Sequence, residues 1–241
     1  MKTLLCFFTA VVIAFTGNAQ TAINVFASAK GEAEYASPSA LGYKMDADSV
    51  DYDEIKGSPF WKNEGSPAII FLQDGRLIKV DKVRLNFYTN DLYYKFGSGP
   101  ELVAKTGTVK QIGFLNNSDS ATVVANFQRF RDVRSAYNPN EAPFCQVLNE
   151  GQVKLLKLVS VNLDKKFDFV GGKMQSEFLS RVEYYLLKGN MVFAVKKISK
   201  ENILAFVIPE DDTKNWLAAN NNKLKSENEV LAFLEYYNKG K

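Results

Sequence analysis

Short apolar runs that alternate with turn signals dominate the chain from Pro59 to Pro209. In the run that contains Val83, Leu85 and Phe87, apolar side chains recur with a period of two. This spacing places one face of a β-strand against a core. About ten such runs follow one another, which is too many for one small sheet. The pattern therefore predicts an antiparallel meander that forms a sandwich or a curled open barrel.

The clearest predicted hairpin joins residues 68–72 to residues 77–80. Asp74 and Gly75 lie between these two runs, and glycine readily adopts the positive φ of a tight hairpin turn. Residues 171–181 fit either a helix or a loop, and we leave both assignments open. Further strands are predicted over residues 145–148, 153–161, 184–187, 191–198 and 203–208.

After Pro209 the apolar period changes from two to that of a helix. Asp211 can cap a short helix, and Ser226 with Glu229 forms the capping box of a second one. The second helix carries one apolar stripe, which we expect to pack on the sheet. Strands followed by a C-terminal helical pair indicate an α+β, mainly β fold. The stripe consists of Val230, Leu231, Phe233, Leu234 and Tyr237.

The first nineteen residues differ from the rest of the chain. Lys2 precedes an apolar run over residues 4–15, and small side chains follow at Gly17 and Ala19. This is the pattern of a signal peptide, and the run is too short to cross a bilayer as a helix. We therefore expect a signal peptide (1–19), a loosely ordered N-terminal arm (20–57) and a single β-rich domain with C-terminal helices (58–241). The protein is expected to be exported, to the periplasm or the extracellular space.

Charge and composition argue against nucleic-acid binding, transmembrane segments and internal disulfides in the exported chain. The whole chain has a net charge of +3, and loss of Lys2 with the leader lowers it to +2. A charge this small gives no general attraction to nucleic acid. We also expect no transmembrane segment, since no other apolar run approaches the required length. Cys145 is the one cysteine outside the leader, so we expect no internal disulfide and a buried side chain, with an intermolecular disulfide as the alternative.

The chain contains no histidine, which removes most common catalytic and metal-binding chemistry. Serine and cysteine nucleophile systems that rely on histidine are excluded, as are nearly all catalytic zinc sites. Glycine-rich phosphate loops and nucleophile elbows are also absent from the sequence. We predict no catalytic residue, cofactor or metal site. A pair of carboxylates acting on a glycan is the enzymatic route that remains.

Adjacent aromatic residues are the best candidates for ligand binding. Neighbouring residues on a strand point to opposite faces, so one ring of each pair should lie in the core and the other near the surface. We select Trp61 and the exposed member of the Tyr93 and Tyr94 pair as candidate ligand-binding residues. An acidic stretch with Asp46, Asp48, Asp51, Asp53 and Glu54 lacks the spacing of a calcium loop and is predicted to be a solvated linker.

Several motifs combine turns with aromatic residues: Lys56-Gly57-Ser58-Pro59-Phe60-Trp61, Asp74-Gly75, Arg84-Leu85-Asn86-Phe87-Tyr88-Thr89, Phe144-Cys145-Gln146-Val147-Leu148, Glu183-Tyr184-Tyr185-Leu186 and Leu234-Glu235-Tyr236-Tyr237-Asn238. This set resembles a group of uncharacterised exported β-rich proteins of Bacteroidetes-type bacteria. The likeness covers residues 56–241. It implies a Gram-negative envelope and no particular activity.

Three functional hypotheses are compatible with these patterns. The first is an exported, non-catalytic binding or structural protein of the bacterial envelope, whose partner is a glycan, a lipid or an envelope protein. The second is a carrier that encloses an apolar ligand in a curled sheet. The third is a carboxylate-dependent glycan hydrolase.

Removal of the leader can be tested directly on exported protein. We expect intact-mass and N-terminal sequence analysis to find Gln20 as the first residue, because Gly17 and Ala19 supply the small side chains that a signal peptidase requires. Native protein that begins at Met1 in a cytosolic fraction would contradict the prediction.

Overall fold

The computed structural model describes residues 37–43, 52, 55–118, 122–135, 142–169, 171–208 and 211–240. The predicted signal peptide, most of the predicted arm and all five members of the acidic stretch lie outside the described residues. Within these ranges, ten strands form one antiparallel sheet in the order β10-β9-β8-β7-β6-β5-β1-β2-β3-β4. The strands are β1 (Ser66–Leu72), β2 (Leu77–Asn86), β3 (Asp91–Lys95), β4 (Glu101–Val103), β5 (Val109–Leu115), β6 (Val123–Arg129), β7 (Phe144–Val147), β8 (Val153–Asp168), β9 (Lys173–Lys188) and β10 (Met191–Val195).

The sheet curls until β8 touches the end of β2. The Val161 N–H in β8 donates to the carbonyl of Phe87, the residue after β2, at 3.4 Å. The ring of Phe178 in β9 lies 5.6 Å from that of Tyr88 at the same seam. Strands β3 and β4 continue beyond β2, and β9 and β10 continue beyond β8, so the sheet remains open. The predicted antiparallel, mainly β fold is confirmed as a curled sheet, and it is not a sandwich.

One face of the sheet, here called the inner face, holds the largest apolar cluster. Alternate residues of the strands point to this face, which is why the period of two in the sequence translates into burial. Leu41 of a short 3-10 helix (Pro38–Leu41) completes the cluster. Its buried members are Leu41, Ala68, Ile70, Leu72, Ile78, Val80, Val83, Leu85, Leu92, Tyr94, Ala104, Val109, Ile112, Phe114, Ala125, Phe127 and Phe144.

Helices cover the inner face of β8, β9 and β10. They are α1 (Lys200–Phe206), α2 (Asp211–Ala219) and α3 (Glu227–Lys239). Their apolar side chains form a second cluster with Leu155 of β8 and Leu186 of β9, both of which are fully buried. The predicted helix stripe packs as expected, since Val230, Phe233, Leu234 and Tyr237 are buried.

The start of α3 follows the predicted capping box with one difference. The Ser226 hydroxyl accepts from the Glu229 N–H at 3.3 Å. The Glu229 carboxylate accepts instead from the backbone N–H of Lys225, at 2.6 Å. The first bond satisfies an N–H group that the first helical turn leaves without an intrahelical partner, and the second holds the residue that precedes the N-cap.

The predicted strand over residues 203–208 is wrong, and the C-terminal helices number three instead of two within the described ranges. Ile203 and Val207 are four residues apart and both are buried, so they define one face of a helical turn. The Ser199 hydroxyl accepts from the Asn202 N–H at 3.3 Å and starts α1. Periodicity alone does not distinguish a short apolar helix from a strand in a run this short.

Residues 171–181, which fit helix or loop by sequence, belong largely to β9. This strand pairs with β8 along sixteen residues of each, from Val153 opposite Lys188 to Asp168 opposite Lys173. The half of this long hairpin that lies nearer its turn is a two-stranded ribbon, and much of both of its faces is in solvent. Polar residues therefore replace the apolar alternation that reveals a half-buried strand.

Several described residues of the predicted arm contact the sheet. Leu41 is fully buried, and the Tyr94 hydroxyl donates to the Gly42 carbonyl at 2.7 Å. Lys56 forms a parallel bridge with Glu177 of β9. The apolar surfaces of the sheet thus contact a segment whose sequence shows little apolar periodicity. None of the helices in the described ranges is both long and apolar enough to cross a membrane.

Asn238 near the end of α3 fastens this helix to the turn between β7 and β8. Its side-chain oxygen accepts from the Val153 N–H at 2.9 Å, and its amide donates to the carbonyls of Val153 and Glu150 at 2.9 and 3.1 Å. Gly151 lies directly beneath it with φ of +119°, and a Cβ there would be 2.5 Å from Asn238 Cγ.

We expect Gly151→Ala to lower the free energy of unfolding by about 3 kcal/mol, because it adds a steric clash to a strained backbone. Gly189→Ala is the matched control: φ is +57° and nothing described lies within 4 Å, so about 1 kcal/mol is expected. Urea unfolding monitored by circular dichroism measures both. Equal losses for the two variants would contradict the assigned contact.

A second polar link joins α3 to the sheet. Glu227 at the start of the helix accepts from the Tyr184 hydroxyl at 2.7 Å and pairs with Lys157 Nζ at 2.9 Å. Burial, followed by the hydrogen bond and charge of Glu227, raises the pKa of Tyr184 from 10.0 to about 12. The folded state therefore holds the phenol proton more tightly than the unfolded chain does.

This raised pKa predicts a loss of stability at alkaline pH. Between pH 10 and 12 the unfolded chain loses the Tyr184 proton first, so the free energy of unfolding falls as pH rises through this window. The Tyr184→Phe variant has no such proton and should lose less stability between pH 9 and pH 12 than the parent protein. Urea titrations at both pH values measure this difference, and identical losses would contradict it.

Candidate functional site

Trp61, a candidate from the sequence, is half-buried against the inner cluster. Its ring lies 4.3 Å from that of Phe114 and 5.4 Å from that of Phe127, measured between centroids. Lys62 Nζ lies 4.6 Å from the centroid of the same ring. The indole therefore fills the core and offers little free face for stacking on a ligand.

Tyr93 and Tyr94 point to opposite faces of β3, as expected, yet both are buried. Tyr94 lies on the inner face under the short 3-10 helix. Tyr93 is only 7% exposed, with the ring of Phe60 at 5.5 Å. The expectation that one ring of this pair is exposed is wrong, because N-terminal segments cover both faces of β3.

The remaining aromatic pairs also make internal contacts. Tyr184 donates to Glu227, and the hydroxyl of Tyr185 donates to the Arg134 carbonyl at 3.3 Å. Tyr237 of α3 is buried in the cluster between the helices and the sheet, while the ring of Tyr236 stacks on that of Trp216 at 5.1 Å. The structure thus brings none of the aromatic candidates together into one exposed platform among the described residues.

A cleft of about 920 Å³ opens on the outer face of the sheet. No pattern in the sequence predicts that its lining residues lie together. The cleft lies where the end of β6 and the loop after it meet the β7–β8 and β9–β10 turns. Its volume falls within the range of small-molecule sites. The lining residues are Gln128, Arg129, Phe130, Arg131, Asp132, Gly151, Gln152, Lys154, Leu187, Gly189, Asn190 and Val192.

The basic groups of the cleft differ in how firmly they are held. Arg129 donates to the carbonyls of Ala142 and Asn90 at 2.5 and 3.1 Å and lies over the ring of Phe144 at 3.9 Å. Lys154 Nζ is paired with Glu150 at 2.6 Å. These two cations therefore hold loops and turns in place.

Polar side chains without such structural duties rim the cleft. Arg131, Asp132, Gln152 and Asn190 are all exposed. Half-buried Leu187 and Val192 and the ring of Phe130 supply its apolar part, and all three pack against a buried outer-face cluster that includes Cys145. Guanidinium, carboxylate and amide groups provide both donors and acceptors around an apolar patch. This combination suits a hydrophilic organic ligand.

The outer-face cluster shields the thiol of Cys145 completely. The residue is 0% exposed, as the sequence predicted, and its thiol is free. Burial raises the pKa of Cys145 to about 12. Since the thiolate is the reactive form, this cysteine is a packing residue and not a nucleophile.

Two carboxylates face each other across the long hairpin. Asp164 of β8 lies opposite Glu177 of β9, and both line a shallow depression of about 400 Å³. Each is already engaged by a lysine: Lys166 lies 2.7 Å from Asp164, and Lys56 lies 2.8 Å from Glu177. An open ribbon provides no walls to hold a sugar between these two groups. In the part of the chain that the structure describes, no three His, Cys, Asp or Glu side chains are placed to share a metal ion.

The inner face is filled by side chains of the protein itself. Phe114, Phe127 and Phe144 are at most 1% exposed, and their cluster runs from β1 through β7.

No protein-family model, curated protein sequence or solved structure matched the chain.

Proposed function

We propose that this protein is an exported, non-catalytic binding protein of the bacterial envelope, and that its ligand is a glycan held in the outer-face cleft. The observation that supports this proposal is the lining of the cleft, in which exposed guanidinium, carboxylate and amide groups surround Phe130, Leu187 and Val192. Sugar hydroxyls need paired donors and acceptors, and the carbon-bearing faces of a sugar ring suit an apolar patch.

The chemistry of the lining favours binding over catalysis. Asp132 is the only carboxylic acid among the described residues that line the cleft, whereas glycoside hydrolysis uses two carboxyl groups that flank the scissile bond. The part of the lining that the structure describes also contains no serine, threonine or cysteine that could act as a nucleophile.

A carrier of apolar ligands is supported less well. Such a carrier needs an open apolar interior, and the inner face of this sheet is packed with large aromatic side chains such as Phe114 and Phe127. The polar rim of the cleft also disfavours a purely apolar ligand, since buried polar groups without partners would weaken binding.

We expect the triple variant Arg131→Ala/Gln152→Ala/Asn190→Ala to bind glycans at least about tenfold more weakly than the parent protein, because each lost hydrogen bond contributes about 1 kcal/mol. A glycan array identifies the ligand, and isothermal titration calorimetry measures its affinity. The matched control is Arg181→Ala/Gln73→Ala/Asn117→Ala, which removes the same three side-chain types from exposed positions outside the cleft.

Two outcomes would contradict the proposal. One is the absence of binding to every glycan on the array at millimolar concentration. The other is equal loss of affinity in the cleft variant and the control variant. Release of a shortened glycan product during the titration would instead support the hydrolase.

A further inference from the structure

The far end of the β8–β9 hairpin exposes three large apolar side chains. Phe167 and Met174 lie directly opposite each other, so they share the inner face of the ribbon, and they are 48% and 61% exposed. Phe169 in the turn is 89% exposed. The rings of Phe167 and Phe169 pack edge to face with their centroids 5.2 Å apart. We call Phe167, Phe169 and Met174 the apolar tip.

Exposure of this size at a hairpin turn requires an explanation. Turn residues are commonly small or polar, and clustered exposed apolar groups in soluble proteins mark contact sites. The inner apolar clusters end before the tip: Phe178, four residues along β9 from Met174, is the last buried apolar side chain in that direction. The apolar tip therefore contributes nothing to the core.

Charge is distributed unequally over the two faces behind the tip. Lys165 shares the inner face with Phe167 and Met174, as the strand period requires. The carboxylates of Asp164, Asp168 and Glu177 belong to the opposite face. Among the described residues of the ribbon end, the face with the apolar tip therefore carries lysine and no carboxylate. Lys173, next to the turn, adds a second exposed ammonium group, but it lies opposite Asp168 and therefore on the other face of the ribbon.

We propose that the apolar tip inserts into the surface of a membrane that contains anionic lipids, with Lys165 and Lys173 at the phosphate groups. Lys165 lies two residues behind Phe167, or about 7 Å along the strand. This matches the 5 to 10 Å to which interfacial apolar groups enter the boundary between headgroups and acyl chains. The long lysine side chains can follow the headgroups while the rings reach deeper.

The shape of the tip favours a membrane over a protein partner. Three side chains at the end of a narrow ribbon form a convex surface, whereas stable protein interfaces bury roughly 800 Å² on each partner. A lipid surface needs no matching groove. Anionic headgroups also complement the ammonium groups of Lys165 and Lys173, which flank the tip on its two faces, and each lysine near such a surface adds to the attraction.

The test is co-sedimentation of protein recovered after export with vesicles of phosphatidylcholine alone or mixed with phosphatidylglycerol. We expect binding to the anionic vesicles, and a loss of about tenfold or more in Phe167→Ser/Phe169→Ser, because two rings no longer leave water. Met191→Ser/Ile208→Ser is the matched control, since these exposed apolar residues lie elsewhere and are 62% and 80% exposed. It should bind as the parent protein does.

Charge reversal tests the lysines separately. Lys165→Glu/Lys173→Glu should weaken binding to anionic vesicles several-fold, whereas Lys196→Glu/Lys197→Glu, an exposed pair just after β10, should leave it unchanged. Phe169→Trp adds a signal that does not depend on loss of binding. Its fluorescence should be quenched by brominated lipids, and that of Ile208→Trp should not.

Several results would overturn the proposal. These are the absence of binding to anionic vesicles, equal binding to neutral vesicles, and vesicle binding that persists in Phe167→Ser/Phe169→Ser. Self-association abolished by the same variant without vesicle binding would assign the apolar tip to a second copy of the chain. Loss of glycan binding in the cleft variants leaves this test unaffected, because none of those substitutions lies on the ribbon end.

Discussion

Burial of the inner face of β8 is the constraint on which the rest of the structure depends. At one end Leu155 lies under the helices, and further along Val161 reaches the carbonyl of Phe87 across the curled sheet. The same strand pairs with β7 on one side and with all of β9 on the other. One strand thus joins the part of the sheet that holds the inner cluster to the part that the helices cover, without any disulfide between described residues.

Because the inner face is filled, the surfaces available to ligands lie outside the curl and at the ends of the long hairpin. The cleft adjoins the turns at Gly151 and Gly189, where β8 begins and β9 ends. The apolar tip lies at the opposite end, sixteen residue pairs away, which corresponds to roughly 50 Å. A protein held at a lipid surface by this tip would present its cleft away from the membrane.

Sequence patterns located the elements best where one face of the element is buried. The Asp74–Gly75 turn and the apolar stripe of α3 follow this rule, and both were predicted. Residues 203–208 were assigned to the wrong element because Ile203 and Val207 fit a helical face as well as a strand. The distal part of β9 was missed because a ribbon in solvent carries no alternation.

The sequence by itself determined that this chain builds a mainly antiparallel sheet with helices after it, since burial of alternate side chains follows from local periodicity. It also determined a chemistry without histidine and with a single cysteine beyond residue 19. Only the tertiary structure decided that Tyr93 and Tyr94 are both covered, and that Arg131, Gln152 and Asn190 meet at one cleft. These outcomes depend on how the sheet curls and which distant segments it recruits, and no local pattern encodes contacts between residues so far apart in the chain.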